Sequence, residues 1–319
     1  MLRGMASIGL LNSVPATPAF AQRPFPSKAI RCIIPYGAGS AVDASSRNLA
    51  TRLSSSWHQP VAVDNRPGAN GIVALRATAL SPADGYTVAS AAQATMTINP
   101  FVYEKVPYDP MRDFVPLGGL FKGPYVLVAN PSLPIVSLAE FVEYARRSPH
   151  PVTFASYGVG SGSHIAAELF ALMAGVKMTH VPYTANSILG LLAGDIAISF
   201  EPIPAALPHL KAGRLRPLGV SGLESSPSLP QVPPIAETVS GYEAVPWVAL
   251  FSPAGTPTAI VDKFSTEISR IVALPDLANE FVAIGLTPWP ASSAAVSDIL
   301  QADLIKHASL IGRLGIKAY

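Results

Sequence analysis

Two short segments of small and hydroxyl-bearing residues each follow a strand-like run and open a helix-like one. The first runs from Tyr36 to Asp43 and the second from Ser156 to His164. The first amides of a helix lack acceptors within the helix, and the helix dipole is positive at that end. Small side chains leave this backbone accessible, so both segments predict a site for an anion such as a carboxylate. Two such segments suggest two lobes that hold one acidic small molecule.

The composition limits the kind of protein in which these segments lie. The chain has 319 residues, of which 49% are hydrophobic and 13% are charged, and its formal net charge is +2. An average soluble domain has about 25% charged residues, and nucleic-acid-binding domains are strongly basic, so we predict no nucleic-acid partner. The length predicts about two domains. The sequence has no uninterrupted apolar run of about 18 residues, so we predict no transmembrane helix.

The N-terminus has the pattern of an export signal. An apolar stretch from Met5 to Leu11 follows a single arginine, and Ala19 and Ala21 have the spacing of a signal-peptidase site. We therefore predict a signal peptide over residues 1–21, cleaved after Ala21. The alternative is a disordered N-terminal extension.

Strand and helix patterns alternate along the remaining chain. The first alternation comprises predicted strands over 29–35, 61–65 and 86–91 and predicted helices over 41–57 and 71–80. This order predicts an α/β fold with mainly parallel sheets flanked by helices. A second alternation and a helical C-terminal part predict two lobes. We place lobe 1 over 22–124 with 246–319 returning to it, and lobe 2 over 125–245.

Several short motifs follow one another in a specific order. The motifs are Pro26–Arg31, Asp64–Gly71, Asp84–Thr87, Val106–Pro110, Asp113–Phe114, Ala155–Ser161, Glu168–Phe170, His180–Tyr183, Leu229–Pro233 and Pro253–Pro257. Their order resembles that of the tripartite tricarboxylate transporter substrate-binding proteins, the TctC-like or Bug receptors, over essentially all of residues 25–319. The resemblance implies a periplasmic, type II binding-protein fold whose two lobes close on a carboxylated ligand.

The resemblance also implies a set of ligand-binding residues on both sides of the cleft. In lobe 1 these are Tyr36, Gly37, Ala38, Gly39, Ser40 and Asp43. In lobe 2 they are Ser156, Gly158, Val159, Gly160, Ser161, His164, Tyr183, Thr184 and Glu201. Gln93 and Thr95 follow a predicted strand, and we expect them at its carboxyl end, facing the cleft.

Three departures from the usual pattern of these receptors bear on the ligand. Ala41 and Val42 stand near the positions of the usual glycine and threonine, which removes a hydroxyl. Thr184 and Ala185 replace the usual Lys-Gly, which removes a cation, and Glu201 replaces the usual aspartate. These changes favour a monocarboxylate, such as an aromatic acid, although dicarboxylates also fit the two loops.

Several of these residues have a structural alternative. Asp43 and Arg47 are four residues apart on a helix and could form a simple surface pair. Tyr36 could stack on a ligand or pack within its lobe. The serines of the second loop could contact a ligand or only cap the helix. His164, in the first turn, is expected to be a structural hydrogen-bonding residue more than a ligand contact.

The sequence favours an exported, non-catalytic and monomeric receptor for a small organic acid, either a mono- or a dicarboxylate, with aromatic acids included. It would serve a membrane permease or a sensor, with no cofactor and no metal. The alternatives are a hydrolase or isomerase of small acids that reuses the cleft, and an oligomeric structural partner. The motifs argue against an enzyme, since Ser161 lacks the flanking glycines of a nucleophile elbow and the histidines lack metal-ligand spacing.

Overall fold

The computed structural model describes residues 24–183 and 187–318. The predicted signal peptide and Thr184 with Ala185 lie outside these residues. The strands, in chain order, are β1 (Ile30–Ile34), β2 (Val61–Asn65), β3 (Thr87–Ala92), β4 (Phe114–Lys122), β5 (Tyr125–Ala129), β6 (Val152–Ser156), β7 (Met178–Pro182), β8 (Ile198–Pro202), β9 (Arg216–Val220), β10 (Trp247–Pro253) and β11 (Thr287–Pro288).

Helices connect and cover these strands. They are α1 (Ala41–Trp57), α2 (Ile72–Ala79), α3 (Asn99–Val102), α4 (Leu138–Arg147), α5 (Gly162–Ala174), α6 (Ile188–Ala193), α7 (Ile203–Lys211), α8 (Thr258–Val272), α9 (Pro275–Ala283) and α10 (Ser293–Leu314). A single π-helical turn, Ala94–Ile98, joins β3 to α3. Within the described residues, no helix is long and apolar enough to cross a membrane.

The strands form two separate sheets, one in each lobe. The lobe 1 sheet has the order β11-β4-β10-β3-β1-β2, and the lobe 2 sheet has the order β7-β6-β8-β5-β9. In lobe 1, β1 is parallel to β2 and β3, whereas β10 is antiparallel to β3 and β4. In lobe 2, β6 is parallel to β7 and β8, whereas β5 is antiparallel to β8 and β9.

Both sheets are therefore mixed, and the prediction of mainly parallel sheets needs this correction. The reason is the path of the chain between the lobes. A parallel pair requires a long crossover, usually a helix, within one sheet. The strands β5 and β10 instead enter their sheets directly from the other lobe, so no crossover helix brings them round to run parallel to their neighbours.

The chain passes between the lobes through two adjacent segments. One joins β4 to β5 at Gly123 and Pro124, and the other leads from Tyr242 to Trp247 at the start of β10. The amide of Gly123 donates to the carbonyl of Pro246 at 3.0 Å, so the two segments are hydrogen-bonded to each other. Paired connections of this kind let two lobes rotate as rigid bodies about a hinge.

Each lobe has its own hydrophobic core, which fixes the strand ends that carry the loops. In lobe 2 the aromatic rings of Phe141, Phe154, Phe170, Phe200 and Tyr242 are fully buried. The lobe 1 core contains Leu49 and Leu53 from α1, packed against β1 and α8. The helices α1 and α5 are thus held rigidly, with their N-termini at the carboxyl ends of β1 and β6.

Candidate functional site

The first loop connects β1 to α1 and is held by two side chains. The Ser40 hydroxyl accepts a hydrogen bond from the amide of Asp43 at 3.2 Å and so caps α1. The Asp43 carboxylate turns back and accepts from the amide of Gly39 at 2.9 Å. Gly37, Ala38 and Gly39 are exposed, so their backbone remains open to a ligand.

Asp43 stabilises the first loop through further hydrogen bonds. Its carboxylate also accepts from Arg47 Nε at 3.0 Å and from Asn65 Nδ2 at 2.8 Å, and Asn65 Nδ2 donates to the Tyr36 carbonyl at 3.0 Å. Burial alone would raise the pKa of Asp43, but the hydrogen bonds from Arg47, Asn65 and Gly39 outweigh it and lower that pKa. Both carboxylate oxygens are occupied, which favours a bracing role for Asp43.

The second loop connects β6 to α5 and is ordered by a similar cap. The Ser161 hydroxyl accepts from the amide of His164 at 3.3 Å. The Ser163 hydroxyl accepts from the amide of Tyr157 at 3.3 Å, and His164 Nδ1 accepts from the amide of Gly160 at 3.2 Å. These bonds fix the loop and leave the start of α5 directed at the space between the lobes.

Two histidines stack beneath the second loop. The ring centroids of His164 and His180 lie 3.8 Å apart, and His180 also stacks on Phe154 at 4.9 Å. Burial and the neighbouring His164 lower the pKa of His180 to about 4. His164 is buried and occupied by the loop amide, which favours its structural alternative.

The low pKa of His180 predicts an acid-sensitive fold. The unfolded chain takes up a proton at His180 near pH 6.5, but the folded protein does so only near pH 4. Stability from this site is therefore fully present above pH 6.5 and is lost as the pH falls toward 4. We expect His180→Gln to reduce the loss between pH 7 and 5 by about 1 kcal/mol or less, since the ring is partly exposed. Urea unfolding at several pH values measures the free energy of unfolding of each variant. The exposed His150→Gln is the control. If the free energy of unfolding falls equally with pH in the wild type and in His180→Gln, the prediction is wrong.

One pair in this lobe has the atom types of a nucleophile and its base. Ser156 Oγ lies 2.6 Å from His180 Nε2, a proximity that the sequence did not reveal. However, Ser156 is completely buried, and its hydroxyl is also within 3.1 Å of both the amide and the carbonyl of Gly158. A hydroxyl enclosed in this way stabilises the loop and is not accessible to a substrate.

Glu201 lies at the end of β8, behind the second loop, and is completely buried. Its Oε2 accepts from the Tyr157 hydroxyl at 2.9 Å, and its Oε1 lies 2.5 Å from the hydroxyls of both Ser187 and Ser199. The carboxyl group therefore ties the second loop to the start of α6. Glu201 contacts the second loop through Tyr157 and does not itself have an exposed surface.

The lobes touch on one side of the cleft. Asn70 Nδ2, in the turn before α2, donates to the Gly160 carbonyl at 3.3 Å across the lobes. A Cβ atom on Gly160 would lie 2.9 Å from Val102 Cγ1, so the second loop approaches α3 closely. Val159 and Ile165 pack in the same apolar contact with the α3 and α10 region.

A cavity of about 200 Å³ lies between the lobes beside this contact. The residues that line it include Gln93, Lys122, Tyr125, Gly162, Trp247, Asp303 and Lys306. Its floor is formed by the two segments that connect the lobes, and its sides by α5 and α10. Asp303 accepts hydrogen bonds from Gln93 Nε2 at 2.6 Å and from Trp247 Nε1 at 2.7 Å.

The remaining residues of the predicted site have different positions. Gln93 faces the cavity, as its place at the end of β3 suggested. Thr95 is completely buried, and its hydroxyl donates to the carbonyl of Ala92 at 2.7 Å. The Tyr183 amide donates to the Ser156 carbonyl at 3.0 Å, and its ring packs against α6. Thr184 lies outside the described residues.

The structure adds residues that the sequence analysis did not select. Tyr157 stands inside the second loop and bonds to Glu201; its aromatic type among small residues was the available signal. Tyr125 begins β5 at the hinge, and its hydroxyl lies against the first turn of α5. Burial raises the pKa of Tyr125, and the nearby Tyr36 and Glu201 raise it further. Within residues 24–183 and 187–318, no cluster of His, Cys, Asp and Glu could hold a metal ion.

Comparisons with known proteins agree with this architecture. The family model of the tripartite tricarboxylate transporter family receptor matches residues 45–316. Protein BugT of Bordetella pertussis is 33% identical over 325 residues, covering 99% of this chain and 99% of BugT.

Solved structures show the same fold. Rpa4515 of R. palustris, solved with adipate, is 32% identical with a TM-score of 0.86, covering 92% of this chain and 99% of that chain. MatC from Rhodopseudomonas palustris, solved with bound malate, is 25% identical with a TM-score of 0.80, covering 90% of this chain and 100% of that chain. The chain therefore belongs to the tripartite tricarboxylate transporter receptor family, whose members are periplasmic solute-binding proteins.

Proposed function

We propose that this protein captures a small carboxylate-bearing molecule between its two lobes. The observation that carries the proposal is the pair of serine-capped helices, α1 and α5, that begin at the carboxyl ends of β1 and β6 in opposite lobes. Their first amides have no acceptor within the helix and favour an anion. Closure about the hinge would bring both helix N-termini to one carboxylate.

The proposed site divides into residues that contact the ligand and residues that position them. The carboxylate is contacted by the first amides of α1 and α5 and by the loop amides that make no hydrogen bond within the described residues, those of Gly37, Ala38 and Val159. The exposed Gly37 and Gly39 and the half-buried Gly158 allow close approach. Asp43, His164 and Ser156 hold these loops through the hydrogen bonds described above, whereas the Thr95 hydroxyl bonds to Ala92 at the end of β3. Gln93 lines the cavity next to them, and Tyr36 packs against the core of lobe 1.

The chemistry of the ligand follows from the two solved relatives and from this chain's own cavity. Rpa4515 was solved with adipate and MatC with malate, and both ligands are carboxylates. The cavity beside the loops reaches Gly162 and Tyr125, and its lining is mixed. Its apolar side chains, such as Ile165 and Trp247, suit the apolar part of an acid, and Lys122 and Lys306 suit a carboxylate. We propose a mono- or dicarboxylate with an apolar body, either aliphatic or aromatic.

We further propose that the protein is not an enzyme and acts as a monomer for a membrane permease or a sensor. The burial of Ser156 beside His180 supports a non-catalytic role. The membership of this protein in a periplasmic family supports its export, with cleavage of the signal peptide after Ala21. Lobe 1 then comprises residues 22–124 and 246–319 and lobe 2 residues 125–245, which agrees with the strands of the two sheets.

Thermal denaturation with a panel of organic acids and their amides tests this function. A ligand that binds only the folded protein adds about 2.7 kcal/mol of stability at one hundred times its Kd. We expect one or more acids to raise the melting temperature of residues 22–319 in a concentration-dependent way, while the matching amides do not. Equal shifts with an acid and its amide would contradict a carboxylate-binding site.

A further inference from the structure

Among the residues that the structure describes, the buried carboxyl group of Glu201 is hydrogen-bonded only to hydroxyl groups. Tyr157 approaches from the second loop, Ser187 from the start of α6, and Ser199 from the same strand, β8. Among the described residues, Glu201 makes no ion pair with Lys, Arg or His. An ionised carboxylate in such a place would lack any countercharge, which is costly in a buried site.

The hydroxyl groups around Glu201 have one proton fewer than the number of hydrogen bonds in this cluster. Ser199 Oγ lies 3.1 Å from the carbonyl of Ala155 as well as 2.5 Å from Glu201 Oε1. A serine hydroxyl has one proton and can donate only one of these bonds. The four contacts of this cluster thus involve three hydroxyl protons, those of Tyr157, Ser187 and Ser199.

We propose that Glu201 is a neutral carboxylic acid in the folded protein, and that it positions Tyr157 within the second loop. The proton of the neutral Glu201 carboxyl group makes the fourth hydrogen bond. Oε1–H donates to Ser199 Oγ, and the Ser199 hydroxyl then donates to the Ala155 carbonyl. Tyr157 and Ser187 donate to the carboxyl oxygens, so every polar group in the cluster is satisfied without a buried charge.

The electrostatics of the site agree with this protonation. Burial raises the pKa of Glu201, and this effect exceeds the opposing hydrogen bonds from Ser187, Ser199 and Tyr157. The titratable neighbours are Tyr157 and Tyr125, and burial raises the pKa of each. Both phenols therefore stay neutral over the pH range in which Glu201 ionises.

The other elements packed against β8 bring no charge to Glu201. The titratable residues of α5 are His164 and Glu168, which face each other at 3.6 Å. The titratable residues of α7, His209 and Lys211, lie in its last turn. Neither helix provides an ion-pair partner for Glu201, so its protonation depends on burial and on the three hydroxyl groups.

One consequence concerns the ligand and rests on the proposed function. A neutral Glu201 adds no negative charge behind the second loop, so it does not repel a carboxylate held by α5. The Tyr157 hydroxyl donates its hydrogen bond to Glu201, and this bond fixes the orientation of the tyrosine ring. Ionisation of Glu201 at higher pH would repel the ligand and weaken its binding.

Glu201→Gln tests the protonation state, because glutamine has the shape of the acid and cannot ionise. A group whose folded pKa is raised contributes stability below its unfolded pKa, about 4.3, that is lost as the pH rises through the folded value. We therefore expect the unfolding equilibrium constant of the wild type to rise at least about tenfold relative to that of Glu201→Gln between pH 5 and pH 9, where each pKa unit corresponds to tenfold. Urea unfolding across this range measures it.

The matched control is Glu224→Gln, which removes an exposed carboxylate from the same lobe. Its stability should follow that of the wild type at every pH. Parallel profiles for the wild type and Glu201→Gln would overturn the proposal, because they would mean that Glu201 is ionised throughout. If Glu201→Gln does not fold, carbon-13 NMR of glutamate-labelled wild type decides: one carboxyl resonance should stay in the protonated position at neutral pH, and its absence overturns the proposal.

Binding measurements then test the positioning role separately. With an acid found in the thermal panel, we expect the wild-type affinity to fall several-fold as the pH rises through the range in which its stability falls. The Glu201→Gln affinity should stay constant over that range. A stability effect without an affinity effect would overturn the positioning role and keep the protonation state, and the absence of any binding acid would count against the proposed function alone.

Discussion

Gly160→Ala should weaken ligand binding by at least about tenfold, a loss of about 1.4 kcal/mol or more. The residue has a φ of +77°, which a side chain disfavours, and its new Cβ would lie 2.9 Å from Val102 Cγ1. That contact crosses from the second loop to α3 in lobe 1. The added methyl group therefore acts where the lobes meet, and it should hinder closure on a ligand.

Gly175→Ala is the matched control for this prediction. Gly175 ends α5, has a φ of +64°, and a Cβ there would meet nothing within 4 Å. Both variants carry a similar backbone penalty, of roughly 1 kcal/mol, but only Gly160→Ala adds a contact between the lobes. Titration calorimetry with a binding acid should show normal affinity for Gly175→Ala.

A second substitution separates the clash from the backbone strain. Adding Val102→Ala to Gly160→Ala removes both Cγ atoms of Val102, including the one at 2.9 Å, and leaves only its Cβ at 3.4 Å from the new Cβ. We expect this double variant to recover part of the lost affinity. If Gly160→Ala binds as tightly as the wild type, the close approach of the second loop to α3 has no role in binding.

Local patterns were enough to predict the α/β class and most of the elements. Alternating apolar runs and helix caps, such as Ser40 before α1 and Ser161 before α5, depend on neighbouring residues and can be read from the sequence. The mixed sheets could not be predicted in this way. Strand direction in β5 and β10 depends on where the chain crosses between lobes, which no local pattern records.

The site shows the same division. The two loops and their helix starts were predicted because small residues and hydroxyls mark them in the sequence. The structural roles of individual side chains could not be predicted, because they depend on hydrogen-bond and packing partners that are distant in sequence. His164 stacks on His180, Thr95 is buried below the turn at Gly71, and Glu201 is enclosed by Tyr157.

Asp43→Ala should also reduce ligand affinity by at least about tenfold, although Asp43 need not touch the ligand. Its carboxylate holds the Gly39 amide, Arg47 and Asn65, and Asn65 in turn holds the Tyr36 carbonyl. Without the carboxylate, the first loop loses its brace and must be ordered again on binding, which opposes affinity. Loss of these hydrogen bonds to a charged carboxylate should also cost about 1–3 kcal/mol of stability.

The pH dependence of this variant separates a brace from a general loss of folding. Because the pKa of Asp43 is lowered, its contribution is present above the usual aspartate pKa, about 3.9, and is lost as the pH falls through the folded value. The stability difference between wild type and Asp43→Ala should therefore be constant from neutral pH to about pH 5 and shrink below pH 4. Asp64→Ala is the control, since Asp64 is a half-buried residue of β2 that pairs with Arg66 at 2.9 Å and, among the described residues, makes no side-chain bond to the first loop. Equal affinities for Asp43→Ala and Asp64→Ala would show that the first loop keeps its binding geometry without the carboxylate.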